Sequence, residues 1–240
     1  MKKLSARLEC ISEEIPDGAS FIDIGTDHGY LGISRIVSGR SPFAILTDIS
    51  RKSLGKAIMN AGEYCPEAVE DGLLRFVCCG GLEDIKPGSA DCVVIAGMGG
   101  IEIVSILSAE PDKTKSFAKY ILQPRNNAGR LRLALASAGI DIKKEKLVRE
   151  GKFICEVITA EPDRNIMSGD TGCSAVMYGV DPEFTAEADY PELLVITGGD
   201  LTAEYLERKL KKEERNYSLN GHDKVTGARI ARIKELAGRL

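Results

Sequence analysis

The sequence predicts an α/β fold: a doubly wound, mostly parallel sheet with an antiparallel edge hairpin, followed by a C-terminal helical appendage. Three observations carry this. From residue 21 to about residue 138, short apolar runs alternate with stretches of helical spacing. The runs 140–149 and 153–160 are joined only by Glu150-Gly151-Lys152, too short for a crossover, so that pair must be antiparallel. Beyond Pro162 the texture turns to Asn, Ser, Gly, Asp and Thr before two helical stripes close the chain.

Each element has its own signal. Leu4, Leu8, Ile11 and Ile15 mark an amphipathic helix that ends at the turn Pro16-Asp17-Gly18. Phe21, Ile22 and Ile24 form the first strand, Gly25 and Gly29 break it, and helical spacing resumes from Tyr30 to Val37. A second strand, 43–46, ends at Asp48; Ser50 can cap a helix through Asn60. Residues 74–77 give a third strand ending at Gly80-Gly81, and 90–96 a fourth that stops at Gly97 before a helix over 101–107. The fifth, 119–122, closes at Gln123-Pro124, and the helix 128–138 has Gly139 as its C-terminal stop. After the hairpin, Leu201, Tyr205, Leu206 and Leu210 line one helix and Val225, Ala228, Ile233, Leu236 and Leu240 another. An antiparallel pair hides both stripes. A domain boundary is expected near residue 161, giving a cofactor-binding domain, 1–160, and a helical appendage, 161–240.

Composition removes several classes. Seven cysteines without CxxC spacing and only two histidines, far apart, argue against a disulfide framework and a metal site. The opening MKKLSARLECISEEI alternates charge with apolar residues, unlike a signal peptide, and no run approaches the ~20 apolar residues of a membrane span. A soluble cytoplasmic protein is the expectation, with oligomeric state left open and a monomer favoured. The net charge of −4 hides an asymmetry. Residues 161–200 carry one Arg against nine acids, whereas 201–240 carry ten basic residues against six acidic. That basic end keeps nucleic acid open as a partner.

The run FIDIGTDHGYL, 21–31, is a strand entering a glycine turn at a helix N-terminus, a usual place for a nucleotide-like cofactor. It reads Asp23-x-Gly25-x-Asp27-x-Gly29, with an acid where a dinucleotide fingerprint has its middle glycine. A second carboxylate would repel a pyrophosphate, so a phosphate-free and cationic cofactor is expected. Asp48, at the end of the second strand, is placed to accept hydrogen bonds from a ribose diol. It also reads as a helix-capping acid, and Asp27 as a turn residue bonding its own backbone. With the antiparallel hairpin, which is the layout of class I methyltransferases, the set favours S-adenosylmethionine. The second signal is Ala96-Gly97-Met98-Gly99-Gly100 at the end of the fourth strand. There the glycines either admit a ligand to the backbone or form a tight turn, and Met98 either packs on a flat ring or fills the core.

Leu4-Ser5-x-Arg7-Leu8, DIGTDHGYL, AGMGG at 96–100, LQP at 122–124 and GK at 151–152 together resemble the bacterial TrmK family. Its members are tRNA adenine-22 N1-methyltransferases that use S-adenosylmethionine. The resemblance covers 4–160 in order, and the C-terminal layout is similar to that family's coiled-coil-like appendage. It implies that Asp23, Gly25, Thr26, Asp27 and His28 line the methionine and ribose side of the cofactor, with Asp48 and Ile49 at the ribose. It implies too that Gly80, Gly81 and Leu82 form the adenine side, and that Ala96, Gly97 and Met98 border the transferable methyl. Arg7, His28 and Gly99 would face the target base; His28 reads equally as a structural residue. One departure is Cys79-Gly80-Gly81-Leu82, where family members usually carry Asp or Asn before the glycine; Glu83, Asp84 or backbone groups would substitute.

Adenine N1 carries an in-plane lone pair, so direct displacement needs positioning and no activated nucleophile, and no Ser-His-Asp or Cys-His set is present. Asp27 is the expected electrostatic partner of the charge passing from sulfur to base, and Met98 its neighbour at the methyl. Lys209, Lys212, Arg215 and Arg229 are expected to grip the RNA backbone, against the alternative of a solvated helix face. Two other readings stand beside this one: a methyltransferase acting on a small molecule or protein, and an RNA-binding protein of the same fold with weak catalysis.

Overall fold

The computed structural model describes residues 3–163, 182–219 and 221–240. Seven strands form one sheet in the order β3-β2-β1-β4-β5-β7-β6. These are β1 (Phe21–Ile24), β2 (Ala44–Thr47), β3 (Leu74–Val77), β4 (Cys92–Met98), β5 (Lys119–Pro124), β6 (Ile140–Glu150) and β7 (Phe153–Pro162). The first five are parallel, and β7 inserts antiparallel between β5 and β6. All four residues of β1 and of β2 are buried, as central parallel strands covered on both faces require. The order reverses between β1 and β4, so a crevice opens at their carboxyl ends.

Helices cover both faces. On one side, α1 (Ala6–Glu14), α2 (Tyr30–Val37), α3 (Arg51–Tyr64) and the short α4 (Pro66–Glu70) pack over Phe21, Leu46 and Val94. On the other, α5 (Gly100–Ala109), α6 (Pro111–Lys115) and α7 (Ala128–Ser137) pack over Ile22, Val93, Ile95 and Leu122. Ser5 caps α1 by accepting from the Leu8 amide at 3.4 Å, and Ser50 caps α3 through the Ser53 amide at 3.3 Å. Arg35, fully buried on α2, donates to the carbonyls of Ser12, Ile15, Pro16 and Arg40, which fastens the end of α1 to α2. Two features differ from the expectation. The helices α4 and α6, five residues each, were too short to show a period, and β4 runs on to Met98 through an irregularity between Ala96 and Met98.

The stretch beyond Pro162, where the texture turned to Asn, Ser, Gly, Asp and Thr, holds α8 (Pro182–Asp189), and α9 (Leu193–Thr197) follows; the rest of the acidic linker, 164–181, lies outside the described residues. The paired stripes are α10 (Thr202–Leu219) and α11 (Lys224–Ala237), antiparallel, with Lys234 beside Glu214 and Gly227 beside Tyr217. These helices lie against the hairpin. Tyr190, Leu194, Tyr205, Leu206, Ile233 and Leu236 share a core with Leu147 of β6. Beneath them Arg132 makes a two-pronged ion pair with Glu145 (2.7 and 2.8 Å) and reaches Glu156 at 2.5 Å, while the Tyr205 hydroxyl donates to Glu156 at 2.5 Å. Burial pushes the Glu156 carboxyl up, but Arg132, Lys209 and Tyr205 together hold it below the usual range.

Candidate functional site

A cleft of about 480 Å³ opens at the carboxyl ends of β1, β2 and β4. Its floor is the turn after β1. Gly25 and Thr26 both donate backbone N–H to the Thr47 carbonyl at 2.9 Å, locking the turn to β2. Gly25 has φ +75°, and a Cβ there would stand 2.2 Å from Met98 Cε, so the Met98 side chain lies across bare backbone that only glycine leaves open. Asp23 is buried at the base, and its Oδ2 accepts from Thr26 Oγ1 at 2.7 Å. Burial raises its carboxyl to about 6 and Asp48 adds to the rise, against the opposing pull of the Thr26 hydroxyl and Arg7. Asp48 spans two strands: its Oδ1 accepts from the Ser50 amide at 2.8 Å and its Oδ2 from the Asp27 amide at 3.2 Å.

Asp27 sits in the left-handed region at φ +48° with a half-exposed carboxylate, 3.0 Å from Lys56 Nζ and 3.6 Å from His28 Nε2. Its charge is therefore already matched by a lysine. His28 stacks on Tyr30 with ring centroids 5.3 Å apart, and its carbonyl accepts from Asn60 at 2.8 Å. The far wall is Ile49, 78 % exposed, Cys79 and Gly80, with Glu102, Ser105 and Ile106 of α5 beside them. Glu83 Oε2 accepts from the Gly80 amide at 3.1 Å. At the mouth, Arg7 and Arg125 flank Gly97, within 3.8 Å and 3.5 Å of where its Cβ would be, and Arg7 Nη1 donates to Gln123 Oε1 at 3.1 Å. Two buried carboxylates at the floor and two arginines at the mouth suit a ligand that is cationic inside and meets an anionic partner outside. Among the described residues no group of three His, Cys, Asp or Glu side chains could hold a metal ion.

A family model described as a methyltransferase domain matches residues 4–158. The chain is 35% identical over 179 residues to the tRNA (adenine(22)-N(1))-methyltransferase of Bacillus subtilis, covering 73% of this chain and 72% of that one. The chain belongs to the TrmK family. The crystal structure of B. subtilis TrmK superposes with a TM-score of 0.71 at 28% identity, over 99% of this chain and 95% of that one. A Streptococcus pneumoniae protein solved with S-adenosyl-L-methionine shares the fold, with a TM-score of 0.80 at 23% identity over 98% and 100% of the two chains.

For a TrmK family member, the cleft collects most of the residues singled out from sequence: Arg7, Asp23, Gly25, Thr26, Asp27, His28, Asp48, Ile49, Gly80, Ala96, Gly97 and Met98. Its lining leaves out three. Leu82 is buried in the core, Gly81 packs against Ile106, and Gly99 faces Asn126. The double glycine of AGMGG therefore serves the neighbouring turn: Gly100 donates to the Asn126 carbonyl at 2.9 Å, and a Cβ on it would stand 2.4 Å from the Asn127 carbonyl oxygen. Of the four tail cations, Lys212 and Arg215 are exposed, whereas Arg229 pairs with Asp189 at 2.6 Å. Lys209 lies 3.7 Å from Glu156 and over the Tyr205 ring. Arg125, Glu102 and Ser105 were not singled out. Arg125 had a usable signal, as the residue directly after a parallel strand's carboxyl end.

Proposed function

We propose that this TrmK family chain transfers a methyl group from S-adenosylmethionine to N1 of adenine 22 in tRNA. The observation that carries the reading is the cleft floor, where buried Asp23 and strand-spanning Asp48 offer acceptors for ammonium and hydroxyl groups and leave no anion cradle. Bound S-adenosylmethionine supplies an electrophilic methyl on a sulfonium sulfur. Asp23 would meet the cationic methionine end, Asp48 the ribose hydroxyls, and exposed Ile49 the adenine face. The Gly25–Met98 contact would give at the methyl end, since the sulfur side chain is the flexible partner. Adenine N1 needs no deprotonation, so residues at the mouth act by position and field. Asp27, shared with Lys56, contributes a weaker field than a free carboxylate would. Arg7 and Arg125 are placed for phosphates beside the target, and exposed Lys212 and Arg215 for more distant ones. A tRNA acceptor is also in keeping with a cytoplasmic enzyme. Incubating full-length protein with unmodified tRNA and cofactor, then analysing nucleosides by mass, tests the reading. The expected product is 1-methyladenosine at position 22, lost when A22 is replaced by G; a well-bound cofactor with no such product would overturn it.

A further inference from the structure

The β6–β7 hairpin overhangs the carboxyl edge of the sheet. Leu122 of β5 pairs with Ile158 of β7, and β5 ends two residues later, but β7 continues five residues beyond that rung to Phe153. At about 3.3 Å per residue the hairpin tip stands roughly 16 Å past the Leu122 rung, on the side where the cleft opens. The tip is tied to the cleft directly. Glu150, paired across the hairpin with Phe153, accepts from the Arg7 amide at 3.2 Å, and the Arg7 guanidinium lies beside Gly97.

Phe153 is 62 % exposed. Every other Phe or Tyr with a described side chain is buried or half-buried, so this ring stands apart. It is also held firmly. Lys152 Nζ sits 5.3 Å from its centroid, Arg208 of α10 donates to the Lys152 carbonyl at 2.8 Å, and Arg149 pairs with Glu204 of the same helix. Arg208 also pairs with Glu204 at 2.6 Å and so serves as a brace, which leaves Lys152 as the cation beside the ring. An exposed aromatic face with a lysine alongside, on a braced tip at the mouth of the cleft, has the makings of a single-strand nucleic-acid platform.

We propose that Phe153 is a stacking platform for an unpaired RNA base beside the target adenine, with Lys152 facing the adjoining phosphate. This inference rests on the tRNA reading above. Adenine N1 lies on the Watson–Crick edge, so the target must leave its pair, and a neighbouring base then loses a stacking partner that the ring replaces. With Arg149 and Arg208 both paired to Glu204, the Lys152 ammonium is the charge left beside the ring, and it matches a phosphate chain.

The test uses full-length protein, unmodified tRNA, and the same tRNA with 2-aminopurine at nucleotides flanking A22. Wild-type activity reports on the tRNA reading, whereas the ratio of variant to wild type reports on this one. Phe153→Ala is expected to raise KM for tRNA roughly tenfold, the size of one lost base stack. Cofactor affinity by calorimetry and the melting temperature should stay unchanged. Phe153→Trp should keep the wild-type KM and the 2-aminopurine quenching, and Phe153→Leu should restore neither. Equal KM and quenching in wild type and Phe153→Ala would overturn the proposal. So would full rescue by Phe153→Leu, which would mean a plain apolar contact, or a dimer in sedimentation that Phe153→Ala dissolves.

Discussion

Asp23 carries an unfavourable burial that a cationic ligand can turn to use. Its carboxyl is raised to about 6 from an ordinary 3.8, so between roughly pH 4 and pH 6 the native state holds a proton that the unfolded chain has released. Stability from this group is therefore present at low pH and falls as pH rises through 6; above that, burying the charge costs on the order of 3 kcal/mol. An ammonium or sulfonium group alongside would favour the ionised form. Cofactor affinity is expected to rise from pH 5 to pH 7 and then level, with proton release on binding near pH 6. Calorimetry in two buffers of different ionisation enthalpy measures both. Asp23→Asn should flatten that profile, weaken binding about tenfold or more, and make the unliganded fold more resistant to urea above pH 6. At Gly25 the expected effect is steric. Gly25→Ala should lose about 1–2 kcal/mol of stability, because a Cβ strains the backbone at φ +75° even where the flexible Met98 tip moves aside, and the added methyl narrows the cofactor cleft and weakens binding.

At the scale of elements, the seam between the hairpin and α10 is held by charge inside a core. Arg132→Met leaves Glu145 buried without its counter-ion and Glu156 with only Lys209 at 3.7 Å, and is expected to cost about 3–5 kcal/mol in urea denaturation. Tyr205→Phe removes one hydrogen bond to a carboxylate, for about 1.5–3 kcal/mol. This seam was the least legible part of the chain. Strands β1, β3 and β5, and the hairpin, could be read because apolar runs and a three-residue link are local signals. Arg35 and Arg132 carry no local signal, since what buries them comes from elsewhere: the carbonyls ending α1, and the carboxylates of β6 and β7. The site followed the same division. Asp23, Gly25 and Asp48 were visible as strand-end residues, whereas the use of Gly99 and Gly100 against the Asn126–Asn127 turn needed the neighbouring strand in place.

For the whole molecule, Arg125 lines both the cofactor cleft and a groove that reaches Lys209, Lys212 and Arg229 of the helical pair, the path the proposed RNA would follow. Binding of tRNA should weaken steeply with salt, and Lys212→Glu with Arg215→Glu should lower the log–log slope by about one for each phosphate no longer neutralised, with cofactor affinity unchanged. Filter binding across a salt series measures this. A chain ended after Asp163 is expected to lose cooperative unfolding, because Leu147 and Glu156 would be stripped of the helices that cover them. The same seam has a meaning in time. Translation delivers β6 and β7 well before α10, so the nascent hairpin leaves the ribosome without its Tyr205 ligand. Until α10 follows, Glu156 lacks both Tyr205 and Lys209, and the tip bearing Phe153 lacks its brace. The mouth is thus completed only when α10 docks, so the order of synthesis puts the bracing of the Phe153 tip after the making of the sheet that carries it.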